Sequence, residues 1–145
     1  MQRIYIVLAF VILILSILVY VSKKLPDYSV NVEMIEIYSE KYNQKLYIKK
    51  KTWGLTGDRL VIVISSSSDK NFIPIPDKEY IYESSSPFYY SFQNDTLNVY
   101  VSKESKVPSD FKTNIYIKQV ITGTLILREL SKNYKEKGLE TFSDD

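Results

Sequence analysis

The chain has 145 residues, with neither cysteine nor histidine, and carries 19 Lys and Arg against 17 Asp and Glu. These absences exclude disulfides, thiolate nucleophiles and iron–sulfur ligation, and they remove imidazole as a general base or metal ligand. Setting aside Arg3, Lys23 and Lys24, which flank an apolar stretch, leaves 16 basic residues against 17 acidic ones. The remainder therefore lacks the positive field that a phosphate backbone requires, and no nucleic-acid partner is expected.

Residues 4–21 contain no charge, and Ser16 is the one strongly polar interruption. As a helix this stretch spans about 27 Å at about 1.5 Å per residue, close to the thickness of a hydrocarbon core. Tyr5 and Tyr20 lie near its ends, and Arg3 and Lys23-Lys24 stand just outside, as expected for a span anchored at both headgroup regions. A cleaved signal would be shorter and followed by small residues, and Leu18-Val19-Tyr20-Val21-Ser22-Lys23 has no small-x-small pair. Residues 1–25 are accordingly read as an uncleaved anchor with its flanks, ending before Leu25-Pro26. The positive-inside count is a tie, but the very short basic tail favours an N-terminus inside and a domain outside the cytoplasm.

Residues 26–145 have the size of one ordinary domain, and abundant Tyr with scarce Ala and Gly points to β structure. Pro26 to Ser29 reads as a linker. Val30, Val32 and Met34 alternate with polar residues before the apolar phase slips to Ile35 and Ile37, which suggests a bulge or a strand crossing between faces. Leu46-Tyr47-Ile48 centres a short strand, with Lys49-Lys50-Lys51 as an edge guard. Leu60 to Ile64 reads as a central strand covered on both faces. Pro74 and Pro76 mark an edge or an extended loop. Tyr80-Ile81-Tyr82 resumes a strand.

Phe88, Tyr90 and Phe92 alternate before Asn94-Asp95, and Leu97, Val99 and Val101 alternate after it. A two-residue turn at Asn94-Asp95 pairs Phe92 with Leu97, Tyr90 with Val99 and Phe88 with Val101, all on one face. After a polar loop from Ser102 to Asp110, Ile115-Tyr116-Ile117 makes a last strand. Ile126, Leu130 and Tyr134, widened by Leu127, then give a helical stripe over 124–137, with Thr122 or Thr124 as the cap and Gly138 just beyond the end. The fold class expected is mainly β: an antiparallel β-sandwich-like domain of seven or eight strands with one C-terminal helix, preceded by the transmembrane helix.

Trp53-Gly54-Leu55-Thr56-Gly57-Asp58 is the most distinctive string and holds the only tryptophan. It has no Gly-Lys-Ser/Thr and no helix behind it, so a phosphate cradle is rejected in favour of a tight connection with Trp53 as a lid on the sandwich end. If the string forms a binding site, Trp53, Asp58 and Arg59 are the first candidates. Tyr80, Tyr82, Tyr89 and Tyr90 could form an aromatic platform for sugars or a partner, or could simply fill the core. Ser67 and Lys70 match the spacing of a serine–lysine pair only inside a turn-like serine run. Paired carboxylates for a hydrolase are not placed by sequence. No cofactor or metal is expected. The reading that follows is a non-catalytic, membrane-tethered interaction or assembly module of a bacterial envelope with a protein partner; its rivals are a tyrosine-based glycan or small-ligand binder and a carboxylate-dependent hydrolase.

Overall fold

The computed structural model describes residues 11–17, 30–54, 59–70, 73–83 and 87–142. Seven strands and a C-terminal helix follow one another: β1 (Asn31–Ser39), β2 (Gln44–Trp53), β3 (Arg59–Ser65), β4 (Tyr80–Glu83), β5 (Tyr89–Gln93), β6 (Thr96–Val101), β7 (Tyr116–Ile121) and the helix Thr124–Asn133. Strands β1 to β4 form an antiparallel meander, and β5, β6 and β7 form a second sheet in that order. Residues 11–17 are helical, and no helix among the described residues is long and apolar enough to cross a membrane. The rest of the stretch 4–21 lies outside the described residues.

Side chains alternate across a strand, so each sheet sorts its residues into two faces. Ile35 and Ile37 of β1, Leu46 and Ile48 of β2, Leu60, Ile62 and Ile64 of β3 and Tyr80 and Tyr82 of β4 share one core with Tyr90, Leu97, Val99, Val101 and Ile117 of the second sheet. Two layers packed through their inner faces result, consistent with a β-sandwich. The outer face of the first sheet carries a smaller cluster, Val61 and Val63 with Val32, Trp53 and Ile81. This second cluster explains the phase slip in β1. Val32 points outward and Ile35 inward along one strand, and the β1–β2 register runs unbroken from Asn31↔Thr52 to Ser39↔Gln44. The expected bulge is absent, because both faces of the strand have apolar neighbours.

The hairpin forms in the expected register, with Tyr90 opposite Val99 and Phe92 opposite Leu97. Asn94 and Asp95 take φ of 50° and 56°, the paired left-handed conformation of a tight hairpin turn. Phe88 and Val101 join the same core. The antiparallel expectation fails at β7, which pairs parallel to β6, Thr96 with Tyr116 through Val101 with Ile121. The chain leaves β6 at one end of the sheet, and residues 102–115 carry it back to the other before β7 begins.

The lysine run also differs from expectation. β2 lies between β1 and β3, so Lys49-Lys50-Lys51 guards no edge. Lys49 is fully buried; Lys50 pairs with Glu33 at 2.8 Å, and its ammonium lies 5.5 Å from the Phe142 ring centre. Burial holds the Lys49 ammonium below its usual range, with the carboxylates of Glu79 and Asp69 opposing that shift. Of the two readings of the proline segment, edge or loop, the described residues form a loop: the Ile75 carbonyl accepts from the amides of Lys78 and Glu79 in a turn.

Leu127 and Leu130 of the helix are buried with Leu139 against Tyr89 and Tyr100 on the outer face of the second sheet. Ile126, expected in the buried stripe, is half-exposed, because the helix covers only a narrow tyrosine patch and buries the 127/130/134 line instead. The start is capped by neither threonine: Gly123 holds the N-cap position without a side-chain bond. At the other end the chain keeps turning past Asn133. The Leu139 amide donates to the Tyr134 carbonyl at 2.8 Å and the Gly138 amide to Lys135 at 3.0 Å, with Gly138 at φ 67°. Those two bonds are a Schellman closure, and Tyr134 and Leu139 supply its apolar contact. Nothing lies within 4 Å of a Cβ built on Gly138, so Gly138→Ala tests backbone strain alone. The expected loss is about 1 kcal/mol of unfolding free energy in urea titration, and an unchanged midpoint would show that the left-handed turn is not retained.

Candidate functional site

The relative direction of the two sheets decides which side chains gather at each end. At one end Ser39 Oγ donates to Asp95 Oδ1, and the Asn114 amide donates to Gln44 Oε1 at 2.8 Å. Farther along, Tyr82 stacks edge-on with Phe88 at 5.5 Å, and its hydroxyl donates to Gln119 Oε1 at 2.9 Å. Strand β5 thus runs in the direction of β1, while β6 and β7 run against it. The start of β1, the end of β2, the start of β3 and the ends of β6 and β7 all lie together.

At that end the outer face of the first sheet opens into a cleft of about 500 Å³, lined by Trp53, Arg59 and Val61, with Val30, Ile73 and Glu83 on its rim. Trp53 is the last residue of β2 and pairs with Arg59, the first of β3. It packs with the outer cluster rather than lidding the core, because its odd-numbered position in β2 faces away from the second sheet. Two of the three residues singled out in the glycine-flanked string are therefore brought together; Asp58, the third, lies outside the described residues. Gly54 takes φ of 109°, a conformation suited to glycine where the strand turns off.

The four tyrosines of the proposed platform are all buried. Tyr80 packs against Phe111 at 5.2 Å and Tyr89 against Tyr134 at 5.4 Å. Tyr90 donates its hydroxyl to Glu140 Oε2 at 2.7 Å, and the backbones of these two residues exchange a pair of hydrogen bonds that adds the C-terminal segment to the edge of β5. These rings present no open stacking face, so they act as core and cross-strand fillers. Burial raises the phenol pKa of Tyr80, Tyr82 and Tyr90, with Glu140 adding to the effect at Tyr90.

A second cleft of about 320 Å³ lies between β4 and the loop after β6, lined in part by Glu79, Glu83 and Glu104 with Lys103 and Lys106. Glu79 is structurally engaged: its Oε2 accepts from the Ile75 amide at 2.9 Å and closes the proline turn. Among the described residues no group of three acids stands close enough to hold a metal ion. The serine run is likewise committed to backbone turns, with Ser65 Oγ accepting from Ser67 N and Ser67 Oγ from Asp69 N.

One surface escaped the sequence reading. β7 bonds to β6 along one side only, and no backbone pair joins its other side to a described residue. The amides of Tyr116 and Thr122 donate to Asp95 and Val101 on the β6 side, so the alternating amides of Ile117, Gln119 and Ile121 face outward along the edge. Tyr116 and Ile121 are exposed. The strand itself was legible, but its position at an edge follows from the sheet order β5-β6-β7, which no local pattern announces. Comparison with protein-family models, curated proteins and solved structures gives no significant match to this chain.

The raised tyrosine pKa values carry a sign. A phenol whose folded pKa lies above its unfolded value contributes stability that is intact below about pH 10 and lost as pH rises beyond it. Tyr82→Phe should cost about 1 kcal/mol at pH 7 through the lost bond to Gln119. The wild-type chain then loses about 1.4 kcal/mol more than the variant by about pH 11, so the two urea midpoints should converge or cross; parallel curves would contradict the burial of this hydroxyl.

Proposed function

We propose that this protein is a single-pass, membrane-tethered, non-catalytic interaction or assembly module of a bacterial envelope, with its β-rich body outside the cytoplasm. The observation that carries the reading is the open edge of β7. An edge strand with outward amides and exposed Tyr116 and Ile121 invites a partner strand, which would bond to the backbone and gain specificity from alternate side chains. The single charge along that strand, Lys118, is a weak guard against such pairing.

The tether rests on the uncharged run 4–21. Ser16 supports it: its hydroxyl donates to the Ile12 carbonyl at 2.8 Å, so the one strongly polar interruption of the run is satisfied within its own helix and needs no water. The short basic tail before the run supports an outward body.

A photo-crosslinking residue placed at Tyr116 in the full chain should give discrete higher-mass adducts in intact cells, whereas the same residue at exposed Arg128 on the helix should give none. Equal labelling from the two positions would remove β7 as the contact surface. Digestion of the body by external protease in spheroplasts checks its side of the membrane.

A further inference from the structure

Residues 22–29 separate the apolar run from Val30. A chain reaches at most about 3.3–3.6 Å per residue, so Val30 lies within roughly 30 Å of the end of that run whatever path the linker takes. Resting on the proposed membrane span, this covalent limit brings one end of the two-sheet body close to the headgroups. The end is defined by topology: the antiparallel meander starts β1 there and turns from β2 to β3 there, and β6 and β7 both finish there.

Exposed apolar side chains collect at that same end. Exposed Val30 and Ile73 line the outer-face cleft beside half-buried Trp53, and exposed Ile121, Leu125 and Ile126 stand where β7 gives way to the helix. Ile73 and Leu125 are 80% and 82% exposed, which no intramolecular packing explains. At a bilayer surface each type has a defined place: aliphatic side chains enter the acyl boundary, an indole rests at headgroup level, and Lys51 and Arg59 on the cleft can meet phosphates.

We propose that the Val30 end of the body lies directly on the lipid surface, with Trp53, Ile73 and Leu125 seated at the headgroup–acyl boundary. The occupant of this apolar end is lipid rather than a protein, because the tether keeps lipid within reach at all times. Docked in this way, the strands stand up from the bilayer, the turns at 40–43 and 94–95 point away from it, and the open edge of β7 faces sideways.

Trp53 is the only tryptophan, so the emission of the full chain reports on this position alone. In nanodiscs of phosphatidylcholine and phosphatidylglycerol, acyl-brominated lipid should quench most of the Trp53 emission, and aqueous iodide should quench little. Ile73→Asp and Leu125→Asp change exposed residues and should leave the circular dichroism unaltered while reversing the two quenching patterns. Emission quenched by iodide and untouched by brominated lipid, in a chain that resists carbonate extraction, would overturn the docking and leave the tether standing. Release of the wild-type chain by carbonate would instead overturn the tether, and the docking with it.

Discussion

The carboxamide of Gln119 is the constraint that holds the two sheets in one alignment. It points inward from β7, accepts from the Tyr82 hydroxyl at 2.9 Å and the Ser105 amide at 2.8 Å, and donates to the Ser105 carbonyl at 2.9 Å. Ser105 in turn accepts from the Ile81 amide at 2.8 Å through its hydroxyl, which satisfies a donor of the edge strand β4. One side chain thereby joins β7 to β4 and pins the loop between β6 and β7. In a low-dielectric interior such a network is stabilising only when each member is satisfied, so a slip of β7 by one residue would strand several polar groups at once. The register of β7 against the first sheet is held by this requirement.

Strand identity was largely legible because burial imposes alternation, and alternation survives in sequence. The hairpin around Asn94-Asp95 shows this best: six apolar residues at period two, split by two residues tolerant of left-handed backbone, define the register without reference to the rest of the chain. The left-handed closure at Gly138 was also legible, although the helix itself stops at Asn133 rather than at 137 and turns fill the interval. Less was legible where two environments meet on one element. β1 buries residues on both faces, so its pattern resembled a bulge, and the buried line of the helix was misplaced by one residue because the covered patch is narrow. The pairing direction of β7 depends on residues 102–115 and its register on Gln119, whose partners are distant in sequence, and nothing local encodes them.

The candidate site divides in the same way. Trp53 and Arg59 were conspicuous because a lone indole beside glycines is rare in this composition, and the register places them opposite one another. Tyrosine abundance, by contrast, carried two meanings, and only burial separates them: a phenol can fill a core when its hydroxyl finds an acceptor, as Tyr82 does in Gln119 and Tyr90 in Glu140. Exposed Ile126 near the helix start was hidden inside a stripe that seemed to belong to the core, and Leu125 and Ile121 stood outside any pattern.

Phe142 enters the interior between Phe88 and Lys50, and the segment that carries it is the one laid along β5. While the chain is being made, the core therefore stays open until residue 142 has emerged, and its inner faces remain wet and adhesive throughout that interval. The segment that pairs with β5 and carries Phe142 therefore acts as a latch, and its closure ends the period of greatest stickiness.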